Sequence, residues 1–195
     1  MSNSDKEANV RNHLIVASVV AAGLAFGAHA IASDGSLDGP NHIQTTLEGF
    51  QENPSISTTG IGHLDLRIDD DSQTIEFELR YDDLEGVGTT PFVTNGVVLA
   101  AHIHVGARGV NGGVSAFFCG GGGKPACPTP SGTVTGMIIP SDIVGPAAQG
   151  INPGEPTGFE ELVGAIRAGF TYGNVHTTRW PGGEIRGQLH DRERH

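Results

Sequence analysis

The sequence predicts an all-β protein, an antiparallel β-sandwich carrying one short amphipathic helix, and three observations predict it. Two adjoining segments alternate strictly. In the first, Leu64, Leu66 and Ile68 alternate with Asp65, Arg67 and Asp69; in the second, Ile75, Phe77, Leu79 and Tyr81 alternate with Glu76, Glu78 and Arg80. This is the period of strands with one buried face and one wet face. The 30 glycines among 195 residues are about twice the usual frequency, yet glycine and proline together stay below the level of low-complexity disorder, so they mark many tight turns between short strands. A single segment changes period: Phe159, Leu162, Val163 and Ile166 fall at i, i+3, i+4 and i+7, with Glu160, Glu161 and Arg167 on the other side.

From the N-terminus, Asp5, Lys6, Glu7 and Arg11 precede an uncharged run over residues 14–28, the length of a signal-peptide core and short for a membrane span. Ala28-His29-Ala30 or Ala30-Ile31-Ala32 supplies the small-x-small cleavage pattern. Residues 1–32 are therefore read as a signal peptide or, because the start is not clearly basic, as an N-terminal anchor. Residues 33–40 form a flexible lead-in, 41–190 one domain and 191–195 a tail.

Within the domain, residues 43–50 read as a first strand. The alternating pair then forms a hairpin around the polar turn Asp69-Asp70-Asp71-Ser72-Gln73. Strands follow at 97–105, 113–119 and 132–139. The Pro- and Gly-rich stretch 141–154 reads as loops with a short turn at 142–144. The helix spans 158–168, with Glu in its first turn and Arg near its end as the macrodipole favours, and it caps an open end of the sandwich. Residues 170–177 and 184–189 are the last two strands, and Pro181-Gly182-Gly183 turns them into a hairpin that brings His176 near Glu184 and Arg186.

The charge of −11 is spread out with no block of Lys or Arg, which excludes a nucleic-acid surface and an anionic-membrane surface. Cys119 and Cys127 are the only cysteines, and in an oxidising compartment such a pair forms a disulfide. Hydrolase and phosphate-loop patterns fail: there is no G-x-S-x-G, and Lys124 is followed by Pro125. The Asp69–Asp71 run lacks the spacing of a calcium loop.

The informative residues are histidines. His102 and His104, at i and i+2 in the apolar run Ala101-His102-Ile103-His104-Val105, share one face of a strand, and Asn174 and His176 do the same on theirs. Three neutral imidazoles from two strands suit copper or zinc. His63 and His190 are candidates for a fourth ligand. The arrangement resembles Cu/Zn superoxide dismutase, where an H-x-H strand supplies copper ligands, but no histidine-rich zinc loop is present here. The reading favoured at this level is that the histidines are structural or contact a ligand, tied by ring N–H groups to carbonyls or to Glu184. Glu184, Arg186 and Asn174 stand as groups that orient the rings.

The segment from Ala101 through Asn111-Gly112, the later Asn174-Val175-His176-Thr177 and the closing Pro181-Gly182-Gly183-Glu184-Ile185-Arg186-Gly187-Gln188-Leu189 together resemble the CHRD domain, a module first described in chordin and found in many secreted bacterial proteins. The likeness covers residues 41–190 and implies an immunoglobulin-like sandwich outside the cytoplasm. The function it implies is a secreted or periplasmic, non-enzymatic binding or structural module. Its partner would be an unidentified protein or small ligand. The alternative is a copper- or zinc-binding protein, redox-active if the bound metal keeps an open position. N-terminal sequencing of exported protein is expected to begin at Ile31 or Ser33; full-length protein with free thiols in the cytosol would remove the basis of both the leader and the disulfide.

Overall fold

In every strand of the hairpin the apolar residues pair with one another across the ladder, Leu64 with Leu79, Leu66 with Phe77 and Ile68 with Ile75, so that one side of the sheet is continuous hydrocarbon. The computed structural model describes residues 41–85 and 97–190; the leader with its cleavage sites, the lead-in and the tail lie outside them. Among these residues the strands are β1 (His42–Glu48), β2 (Ile61–Asp69), β3 (Thr74–Asp82), β4 (Val98–Val105), β5 (Gly113–Cys119), β6 (Gly132–Ile138), β7 (Thr171–Thr177) and β8 (Ile185–Leu189), with one α-helix, α1 (Pro156–Arg167).

All pairings are antiparallel, and the strands form one sheet in the order β5-β4-β7-β8-β1-β2-β3-β6. The all-β expectation holds, but the two faces of the expected sandwich are halves of a single sheet that curls nearly into a barrel. The halves meet through side chains: Phe77 of β3 and Phe118 of β5 lie with ring centroids 4.8 Å apart. At Gly173 of β7 a Cβ would collide with the Leu64 side chain of β2, so a residue without one lets the halves close. One hydrophobic cluster fills the interior. Each fully buried Leu, Ile or Phe in it stabilises by roughly 1.5 to 3 kcal/mol.

The edge strands β5 and β6 are tied by the segment that follows β5. Cys119 and Cys127 are joined by a disulfide, and between them Lys124 donates from Nζ to the Met137 carbonyl of β6 at 2.9 Å and to Asp142 Oδ2 at 2.8 Å. Just beyond, Pro128 accepts from the Tyr81 hydroxyl of β3 at 2.6 Å. An open edge is a template for unwanted pairing, and this loop covers it.

The helix starts two residues before its expected place, with Glu155 as N-cap and Pro156 in the first turn. Proline suits that position because its missing N–H has no intrahelical partner there. Glu160 and Glu161 consequently fall outside the first turn, which holds no acid. Glu161 instead accepts from the Asn152 backbone N–H at 2.9 Å, fastening the preceding loop. Phe159, Leu162, Val163 and Ile166 are buried as the period requires. Arg167 donates to Asp70 in the β2–β3 turn (2.6 Å) and to Asn41 (2.7 Å), which fixes the helix at the end of the sheet where that turn lies. Among the described residues no helix is long and apolar enough to cross a membrane.

Replacing both Cys119 and Cys127 by Ser releases the restraint on an eight-residue separation. Urea denaturation is expected to show a loss of about 2 to 3 kcal/mol on the chain-entropy account. An unchanged midpoint would mean that the Lys124 bonds alone hold β5 to β6.

Candidate metal centre

β4 and β7 are neighbours, and their register pairs Ala100 with His176, His102 with Asn174 and His104 with Tyr172. Directly opposed residues project to the same side. On the next strand Arg186 pairs with Asn174 and Gln188 with Tyr172. One face of β4-β7-β8 is therefore polar, while Ala101, Ile103, Val175 and Ile185 alternate into the hydrophobic core.

The polar face is nevertheless largely buried: His102 is 7 % and His104 8 % exposed, Asn174, Arg186 and Gln188 are buried, and His176 is half-buried. Loops cover it, and hydrogen bonds from the face hold them there. His104 Nδ1 pairs with the Gly112 carbonyl at 2.9 Å, and His176 Nδ1 with the Pro181 carbonyl at 2.9 Å. Arg186 donates to the carbonyls of Ala107 (3.1 Å) and Val110 (2.9 Å) and to Asn111 Oδ1 (3.3 Å). Asn111 in turn donates to the Asn53 carbonyl at 2.9 Å, linking the loop around 107–112 to the one around 49–53.

The three histidines converge. His102 sits between the others, its ring centroid 4.5 Å from each, while His104 and His176 are 6.2 Å apart. One ring nitrogen from each residue lies within 4.8 Å of the other two. Because a carbonyl takes the Nδ1 hydrogen of His104 and of His176, each of these rings is left with a lone pair on Nε2. Those two atoms and His102 Nδ1 are buried without a hydrogen-bond partner among the described residues. Nitrogens that share one ion at roughly 2.0 to 2.1 Å lie at most about 4.2 Å apart, so donors already within 4.8 Å of one another need only a small inward shift to hold it.

The environment keeps the rings neutral. Burial, reinforced by the neighbouring His176 and His104, lowers the His102 pKa to about 2. Burial likewise lowers that of His104 to about 4 despite the Gly112 carbonyl, and it lowers that of His176. Aromatic walls complete the cup: Phe117 meets His102 edge-on at 5.0 Å, and Tyr172 stacks on His104 at 4.7 Å with planes 6° apart. The Arg186 guanidinium lies 3.3 Å over the Tyr172 ring.

Asn174 belongs to this face, as the strand period implies, and its buried Oδ1 has no partner among the described residues. Arg186 also belongs, but it reaches the loops in place of Glu184. Glu184 is directed elsewhere: its carboxylate accepts from Thr58 and Thr177 hydroxyls at 2.7 Å each and from the Glu85 backbone N–H at 2.6 Å. Thr177 follows His176 in β7 and so faces the other way. The two-residue spacing from Glu184 to Arg186 does not make them share a face because β8 begins only at Ile185, after Gly183 at φ +125°. His63, on the exposed side of β2, pairs with Thr46 at 3.4 Å, and His190 contacts the Gln188 carbonyl; neither joins the three.

One functional neighbour escaped the sequence reading. Glu52 is buried beside Arg186 and Asn174, and burial raises its pKa to about 7 against the pull of Arg186. A Cβ on Gly183 would run into its carboxylate, so the glycine is needed both for its φ and for this space. Nothing in Glu-Asn-Pro at 52–54 signals burial; only loop packing does.

A family model described as CHRD domain matches residues 43–189. No curated protein and no solved structure matches significantly.

These pKa shifts set the acid stability of metal-free protein. The unfolded chain protonates each histidine below about pH 6.5, whereas folded His104 resists until about pH 4 and His102 until about pH 2, so their contribution is lost as pH falls through 6.5. Glu52 acts oppositely: between its ordinary 4.5 and about 7 the folded state holds a proton the unfolded state gives up, so its contribution is lost as pH rises. Three depressed imidazoles outweigh one raised carboxyl, and chemical denaturation should show stability increasing from pH 4.5 to 6.5. Glu52→Gln should steepen that rise; a flat profile in both proteins would contradict the burial argument.

Proposed function

Because the chain belongs to the CHRD-domain family, we propose that it acts as an extracytoplasmic binding module without enzymatic chemistry of its own, and that its ligand is a single copper or zinc ion held by His102, His104 and His176. The domain runs over residues 41–190 behind a cleaved leader. The disulfide and the family are both compatible with export.

Two observations carry the metal reading together: one ring nitrogen of each histidine lies within 4.8 Å of the others, and His102 Nδ1, His104 Nε2 and His176 Nε2 are buried with no partner among the described residues. A buried polar atom left unpaired costs about 1 to 3 kcal/mol. Structural histidines would be expected to turn both nitrogens to partners, and here His104 and His176 each use only one. The carbonyls of Gly112 and Pro181 do for these rings what outer partners do for metal-ligating histidines: they fix the tautomer and the aim of the free nitrogen. Loop coverage and the absence of a donor carboxylate among the grouped residues favour storage or presentation of the ion over hydrolytic use.

Elemental analysis of exported protein purified without an affinity tag is expected to find about one copper or zinc per chain, and close to none in a variant carrying His102→Gln and His176→Gln. Restoring metal at 100 times its Kd should add about 2.7 kcal/mol to the stability of the wild type and nothing to the variant. Equal metal content in the two proteins would refute the assignment.

A further inference from the structure

The polar face limits which ion the cup can hold. All three donors are neutral imidazoles, and among the described residues no carboxylate oxygen or thiolate is grouped with them. Both cysteines are consumed in the disulfide. The nearest fixed charge on the layer is the buried Arg186 cation, which stacks on Tyr172 as that ring stacks on His104. Glu52 lies beside Arg186, and whether it is ionised or protonated the two together leave the layer without net negative charge. The desolvation cost of an ion grows with the square of its charge, so a divalent ion enters this pocket at about four times the cost of a monovalent one, with no anion to offset it.

Geometry points the same way. The ring centroids of His104 and His176 each lie 4.5 Å from that of His102, and among the described residues these three rings are the whole grouped donor set. Two of the rings are anchored by their Nδ1 bonds to Gly112 and Pro181, which fixes the aim of their Nε2 atoms. Zinc and Cu(II) take a fourth or further ligand, which here would have to be water or another exogenous group because His63 and His190 lie elsewhere. A monovalent d¹⁰ ion accepts three nitrogen donors without a fourth.

We propose that the ion this centre is built for is Cu(I), held in preference to Cu(II) and Zn(II). The inference rests on the three-histidine reading above and specifies its ligand.

The test is a titration of the full exported chain, under anaerobic conditions for Cu(I) in competition with a chromophoric Cu(I) chelator, and in parallel with Cu(II) and with Zn(II) against chelators suited to each. The expected result is one Cu(I) per chain with a Kd at least about 100-fold below those for Cu(II) and Zn(II). Arg186→Met, checked for fold by circular dichroism, should narrow the gap between Cu(I) and Cu(II) at least about tenfold by removing the buried cation. Cu(II) or Zn(II) bound as tightly as Cu(I) by wild-type protein would overturn the preference while leaving the metal assignment intact. No binding of any of the three would overturn both. The wild-type comparison decides the matter even if Arg186→Met does not fold.

Discussion

Antiparallel pairing of β4 with β7 separates two environments within a few ångströms of backbone. With a side-chain period of two, the register that places Ala101, Ile103 and Val175 in the core also places His102, His104, Asn174 and His176 on the opposite face. A slip of one residue would send imidazoles into hydrocarbon and Ile103 toward the loops. The apolar side therefore enforces the position of the histidines, and the cup inherits its rigidity from core packing.

That face depends on its covering. Arg186 is among the largest fully buried side chains, and its bonds to two loop carbonyls and Asn111 hold residues 107–111 over the sheet while its charge rests on Tyr172. Such a buried cation is costly alone; guanidinium hydrogen bonding, aromatic contact and the neighbouring Glu52 offset the desolvation together. The same loops bury His102 and His104 and so depress their pKa values, which keeps neutral lone pairs available well into acid.

The grouping of unpartnered nitrogens is a local sacrifice of stability. A fold optimised only for its own persistence would satisfy these atoms or replace them with hydrocarbon, because an unpaired buried polar group weakens the folded state. The neighbouring carbonyl bonds show that this molecule had the means to satisfy them. The proposed binding of an ion rests on the three positions where satisfaction stops.

The sequence by itself determined the strands and the co-facial pairs. Alternation in 64–68 and 75–81 specified the hairpin, the H-x-H spacing put His102 and His104 on one side, and the shift to a 3.6-residue period marked the helix, because each of these signals is local and repeats within a few residues. Only the tertiary structure decided that the sheet is one continuous curled surface, that β4 and β7 are neighbours and so unite His176 with a pair more than seventy residues away, that Glu184 turns from the cup, and that Glu52 enters beside it. Each of those outcomes depends on strand order or loop closure, which arise from burying the whole set of apolar faces at once. No window of sequence contains that competition.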